Sequence, residues 1–295
     1  MIGWNEVISI SRKNIFETVS GTFNLEHELQ RIKRLFEKEY PVYVFSDGIH
    51  YSVRGYVAKY GFYQWRNRGR SVDVDDFLSM LEYDKLWVSA VNNIQDFFTL
   101  IEIVYNFCWI IKRAQHNISI SVDGGNEKHF ALLEKTLNEC LAHFNYKGQY
   151  FPQLEQLIVI EDKPEVTAVA EIVNSEITYK LLRYNHYLLK GNLQDKKDIL
   201  LAIGSDLEPK RKQIQEIDKS LEDGIFYLLN NLNLRHNNKI EGDKNYKQTV
   251  AEMDDATLEG WYDELYHMML LAYLQLNQGE RNAKVKALKQ NVTPK

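Results

Sequence analysis

Apolar residues return at helical intervals in segment after segment of this 295-residue chain, and that period limits the folds open to it more than any single motif does. Leu25, Leu29, Ile32, Leu35 and Phe36 mark a helix over 25–39, with Asn24 as its cap. The same reading predicts helices over 75–81, 92–113, 127–144, 165–190, 194–207 and 209–217, one opening at Ser220, and a last one over 256–277 capped by Asp255. Gly191 is placed to end the 165–190 helix. Period-two runs are few. Val42 and Val44 before Ser46-Asp47-Gly48, with Ile49, Tyr51 and Val53 after it, predict a short hairpin, and Tyr150-Phe151 with Leu157-Ile-Val-Ile160 predict another. A mainly α fold follows. Its expected parts are a helical N-terminal module over 1–114, a linker at 115–126 with the Asp123-Gly-Gly125 turn, a hairpin plus helical bundle over 127–280, and a basic tail over 281–295.

Composition narrows the function classes. A net charge of −5 gives no global attraction to nucleic acid or an anionic membrane, so any nucleic-acid contact has to be local. Cys108 and Cys140 are the only cysteines and lack metal-type spacing, which predicts buried thiols in a reducing compartment. The start of the chain has no basic, apolar leader pattern. The most apolar window, 97–111, is short for a bilayer and carries Glu102 and Asn106, so it reads as a core helix. The expectation is a cytoplasmic protein with no membrane association.

The segment 220–238 joins an ordinary apolar helix to an unusual end. Ser220 with Asp223 fits an N-cap, and Leu221, Ile225, Phe226, Leu229 and Leu232 form one buried face. Asn230, Asn231, Asn233, Arg235, His236, Asn237 and Asn238 then crowd a cation, a group titrating near neutral pH and five amides into nine residues. Such a tip either caps the helix and starts a loop or holds a phosphate.

The stretches Ala142-His-Phe-Asn-Tyr-Lys-Gly-Gln-Tyr150, Leu157-Ile-Val-Ile160, Tyr184-Asn-His-Tyr-Leu-Leu-Lys-Gly191, Leu207-Glu-Pro-Lys-Arg211 and Leu232-Asn-Leu-Arg-His-Asn-Asn238 resemble the C-terminal region of bacterial abortive-infection phage-defence proteins. Those proteins carry a HEPN-type helical domain. Trp65-Arg-Asn-Arg68 and the 87–102 segment are similar to the helical module that precedes it, so the resemblance spans about 60–280. It implies a HEPN-like bundle and a phage-defence role directed at RNA. Active HEPN ribonucleases carry an Arg with four to six residues between it and the His. Here Arg235 directly precedes His236, and Leu229, Asn230 and Asn231 stand where that Arg belongs. The resemblance therefore implies either a metal-independent endoribonuclease or a catalytically inactive module that binds nucleic acid or a protein partner.

In the first case His236 transfers the proton of a ribose 2′-OH and Arg235 clamps the phosphate, with Asn233 or Asn237 fixing the imidazole or the ribose and Asn230 and Asn231 beside them. The alternative for His236 is a histidine at a helix C-terminus that favours the dipole and bonds terminal carbonyls. His186 shares a helical face with Ile172, Tyr179, Leu182 and Leu189, which marks a core histidine; its alternative is a second polar group beside the tip. In Lys59–Arg70, Tyr60, Phe62, Tyr63 and Trp65 interleave with Arg66, Arg68 and Arg70, the composition of a single-strand surface or of aromatic anchors under a solvated Arg face. No metal site and no cofactor are expected, and nucleophile-elbow, phosphate-loop and dinucleotide motifs are absent. HEPN-type ribonucleases usually build one cleft from two protomers, so a homodimer is expected, with 258–276 as a candidate contributor to its interface.

Overall fold

The computed structural model describes residues 23–38, 41–115, 120–122, 128–151 and 154–292, the side chain of Asn291 excepted. The 123–125 turn, His116, Asn117 to Ile118 and the start of the chain lie outside those residues. The fold is mainly α with two small β elements, and the chain divides into two compact units, 1–144 and 145–295.

In the first unit, helix α1 (Leu25–Glu37) is capped by the Asn24 carboxamide, which accepts from His27 N at 2.9 Å, and buries the predicted Leu29, Ile32, Leu35 and Phe36. The expected hairpin forms from β1 (Val42–Val44) and β2 (Ile49–Tyr51), and β3 (Ile120–Val122) adds to the other edge of β1. Helix α2 (Val53–Tyr56) runs into a π turn at Val57–Gly61 and two 3-10 turns, Phe62–Gln64 and Arg66–Arg68. Then come α3 (Val74–Met80), α4 (Tyr83–Ser89), α5 (Ile94–Gln115) and α6 (His129–His143). The dividing line differs from the expected linker at 115–126. Pairing of β3 with β1, together with the packing of α6 on α1 and α5, ties that region and the following helix to the first unit.

Helix α5 is long and apolar enough to cross a membrane by length and composition, longer than the 97–111 window suggests. Burial within the unit claims 67% of its most apolar stretch, as a core helix requires. Both thiols are buried, and burial pushes Cys140 up to about 12 and Cys108 well above the usual range.

The second unit opens with β4 (Tyr146–Phe151) antiparallel to β5 (Gln156–Glu161). Its helices are α7 (Pro164–Ala170), α8 (Ser175–Tyr184), α9 (Leu193–Leu207), α10 (Arg211–Ile217), α11 (Lys219–Asn231), α12 (Gln248–Ala251) and α13 (Asp255–Val292). The single helix expected over 165–190 is broken twice. Asn174 caps α8 by accepting from Ile177 N, and beyond Tyr184 the backbone leaves the helix to pair with β5, Glu161 N donating to Asn185 O at 3.0 Å. Sheet pairing thus displaces the next helical turn. Gly191 does end this region, at a φ of +81°. The last helix begins under Asp254, which accepts from Thr257 N, and continues through the stretch expected to be a tail as far as Val292. The core of the unit lies where α9, α11 and α13 meet, around Leu200, Ile203, Ile225, Leu229, Leu265 and Met269.

Candidate functional site

Helix α11 starts at Asp218 rather than Ser220: the Asp218 carboxylate accepts from Leu221 N at 3.0 Å, and the Ser220 hydroxyl donates to the same oxygen. A carboxylate at this end complements the exposed N–H groups better than a hydroxyl does. At the other end Leu232 and Leu234 are buried, which forces the chain to turn inward between them, and Asn233 makes that turn at a φ of +56°. Asparagine tolerates this left-handed conformation where most residues do not.

Two amides of the tip, those of Asn231 and Asn238, bond the chain's own backbone. Asn238 is fully buried; its Oδ1 accepts from Asn233 N and its Nδ2 donates to Asn245 O, both at 2.8 Å. Asn231 donates to Tyr227 O, and Lys197 Nζ donates to Asn233 O. Arg235 is held by Glu208 and lies 5.6 Å from the Phe226 ring. His236 and Asn237 are exposed beyond it. Adjacent in sequence, Arg235 and His236 differ in setting: one is half-buried in an ion pair, the other faces solvent.

The last residue of the Leu207-Glu-Pro-Lys-Arg211 stretch stands beside the tip. Arg211, from α10, approaches the same Phe226 ring at 4.3 Å and pairs with Glu222, a carboxylate buried in the first turn of α11. With Tyr227, Asn230 and Asn231 it lines an open recess of about 540 Å³. Tyr227 is 65% exposed, so its ring is available there. Helical spacing does not find Arg211, because α10 folds back on α11 at the turn around Asp218.

His186 is not on a continuous helix face. It stands at the start of a 3-10 turn, Tyr187–Leu189, with Nδ1 accepting from Leu188 N at 3.4 Å. Together with Tyr146, Lys163, Lys190, Lys196 and Asp263 it lines a separate recess of the second unit.

In the first unit most of the expected stacking surface is core. Trp65 is 6% exposed and packs against Phe62, Phe77 and Phe107 with centroids at 6.4, 5.1 and 6.0 Å, and its Nε1 makes no hydrogen bond. Tyr60 and Lys59 are tied to Asp47, whose carboxyl is held well below its usual range first by the Tyr51 hydroxyl and then by that of Tyr60. Tyr63 remains 63% exposed, next to the exposed Arg66 and Arg70, while Arg68 donates to Ser71 O at 2.9 Å. Trp65 is an anchor and Tyr63 the exposed ring.

Among the described residues no group of three or more His, Cys, Asp and Glu side chains stands close enough to hold a metal ion. No protein-family model matches the chain, and neither a curated protein nor a solved structure matches it.

Proposed function

We propose that this chain is a HEPN-like helical protein of the abortive-infection kind that binds RNA across the tip of α11 without cutting it there. The observation that carries this reading is that both guanidiniums at the tip are already paired within the chain, Arg235 with Glu208 and Arg211 with Glu222. Phosphodiester cleavage needs donors whose charge is aimed at the developing charge of the transition state, and a neighbouring carboxylate offsets that field. Binding asks less. The exposed Tyr227 ring offers a stacking surface, and the Asn230 and Asn231 amides beside it offer hydrogen bonds that suit any base. Tyr63 with Arg66 and Arg70 offers the same chemistry in the first unit.

The test is an RNA assay in two parts. Total RNA incubated with the purified protein is expected to stay intact with and without a chelator. A labelled single-stranded RNA is expected to bind, and Tyr227→Ala to weaken it by roughly tenfold, the lower range for one lost stacking contact. Cleavage that disappears in His236→Ala would restore the ribonuclease reading and, with it, a site shared by two copies, checked by light scattering at micromolar protein. Absence of any RNA binding would turn the reading to a protein partner.

A further inference from the structure

The recess around His186 has a construction that the tip does not explain. It is about 260 Å³, enough for one small molecule rather than a strand, and it opens between β4, the end of β5, the 3-10 turn after α8 and the first turns of α13. Its lining includes Gly260, exposed on α13, where an added Cβ would meet nothing within 4 Å.

One wall is an ion triad around a buried lysine. Lys196 is 6% exposed and holds Glu259 Oε1 at 2.7 Å and Asp263 Oδ1 at 2.6 Å. Gly191 N donates to that same Glu259 oxygen, and the Tyr184 hydroxyl donates to that same Asp263 oxygen, each at 2.8 Å. Every one of these donors lands on a single oxygen of its carboxylate. Glu259 Oε2 and Asp263 Oδ2 are left as charged acceptors at the edge of the cavity, and together the three groups carry one net negative charge. Groups of this kind call for a ligand that brings donors, and a pair of vicinal hydroxyls fits them as a ribose fits a carboxylate.

The other wall is cationic. Lys190 makes no ion pair among the described residues, Lys163 pairs with Glu161 at 2.7 Å, and His186 Nδ1 accepts from Leu188 N. An unpaired lysine suits a phosphate. We propose that this recess binds a 5′-phosphorylated ribose with free 2′ and 3′ hydroxyls: the diol on Glu259 and Asp263, the phosphate on Lys190. A free nucleoside monophosphate and the 3′ end of an RNA share this chemistry. The site uses no residue of the α11 tip and stands independently of RNA binding there.

Titration calorimetry on the full chain tests it, with adenosine 5′-monophosphate, its 2′,3′-dideoxy analogue, adenosine, and a hexa-adenylate ending in either a 3′-hydroxyl or a 3′-phosphate. The monophosphate is expected to bind, with the dideoxy analogue and adenosine each weaker by tenfold or more. Binding of the 3′-hydroxyl hexamer alone would assign the RNA end as the source, and binding of the monophosphate would show that a free nucleotide suffices. Gly260→Leu fills the space at an exposed helix position, where it gains helix propensity, and is expected to abolish binding without lowering the unfolding midpoint. Lys190→Glu, on the surface, is expected to weaken the monophosphate tenfold and leave adenosine unchanged. The proposal falls if neither the monophosphate nor the 3′-hydroxyl hexamer binds at millimolar concentration, if the dideoxy analogue binds equally well, or if both variants bind as the wild type does.

Discussion

In the first unit the large buried rings are mostly phenylalanine and tryptophan, packed edge to face around α5: Phe36, Phe62, Trp65 and Phe107 bring no polar group to a partner. Four of the tyrosines buried in the second unit have hydroxyls that each find one. Tyr184 donates to Asp263, Tyr273 to Asp206, Tyr262 to Leu232 O and Tyr266 to Leu181 O, while Asn185 donates to the Tyr266 oxygen. Tyr184 and Tyr266 also stack, with centroids 4.1 Å apart and planes at 10°. An apolar core fixes volume and leaves orientation loose. A core of donors and acceptors fixes which helix turn faces which, because a slipped register leaves buried polar groups unpaired. Both polar recesses with assigned roles lie in the second unit, whose side chains are held by such bonds.

The sharpest way to break this comparison is to remove one ring from the apolar core. Phe107 is fully buried at the meeting point of Phe36, Trp65 and Phe77, and Phe107→Ala is expected to destabilise the first unit by about 3–5 kcal/mol. Chemical denaturation reads the loss, and a change under 1 kcal/mol would mean that the first core is loosely packed. In the second unit, Lys196→Met leaves Glu259 and Asp263 facing each other without their cation. The expected cost is about 1–3 kcal/mol, below that of a fully buried pair because Asp263 keeps solvent contact. An unchanged or raised stability would show that the triad specifies geometry at no gain in energy.

Alkali probes the tyrosines of the second unit. Burial pushes Tyr146 and Tyr262 up to about 12 and Tyr184, Tyr266 and Tyr273 beyond that. An unfolded tyrosine ionises near ~10, so the folded values are the higher ones. Their stabilisation is complete below ~10 and is lost as pH rises through the folded values. Ionised Tyr184 and Tyr273 would also confront Asp263 and Asp206. The unfolding midpoint of the second unit is expected to fall between pH 10 and 12, and Tyr184→Phe to flatten that fall; a midpoint that ignores pH in this range would contradict the buried network. The smallest effect is local. Asn233→Ala is expected to cost about 1 kcal/mol by forcing alanine into left-handed backbone, while Asn233→Gly stays within about 0.5 kcal/mol. Equal losses in the two variants would place the role of Asn233 in its side chain instead.

Local chemistry was legible where it decides alone. The α1 stripe, the Asn24 cap and both hairpins follow from period, turn residues and backbone sterics, which need no distant partner. The break after Tyr184 was not legible, because the competing bond to Asn185 comes from β5, which is remote in sequence. For the same reason Ser220 looked like a cap while Asp218, two residues earlier, holds the helix.

Sequence by itself determined a mainly α chain with buried thiols, and it marked the Asn-rich end of α11 as a place where the helix must stop. Tertiary structure decided what those side chains are for. It spends Asn238 on the loop, holds Arg235 with Glu208, brings Arg211 to Phe226, and gathers His186 with Lys190, Lys196 and Asp263 around one recess. The physical reason is reach: a helical period acts over three or four residues, whereas an ion pair or a cavity wall is made by elements that meet only once the chain has folded.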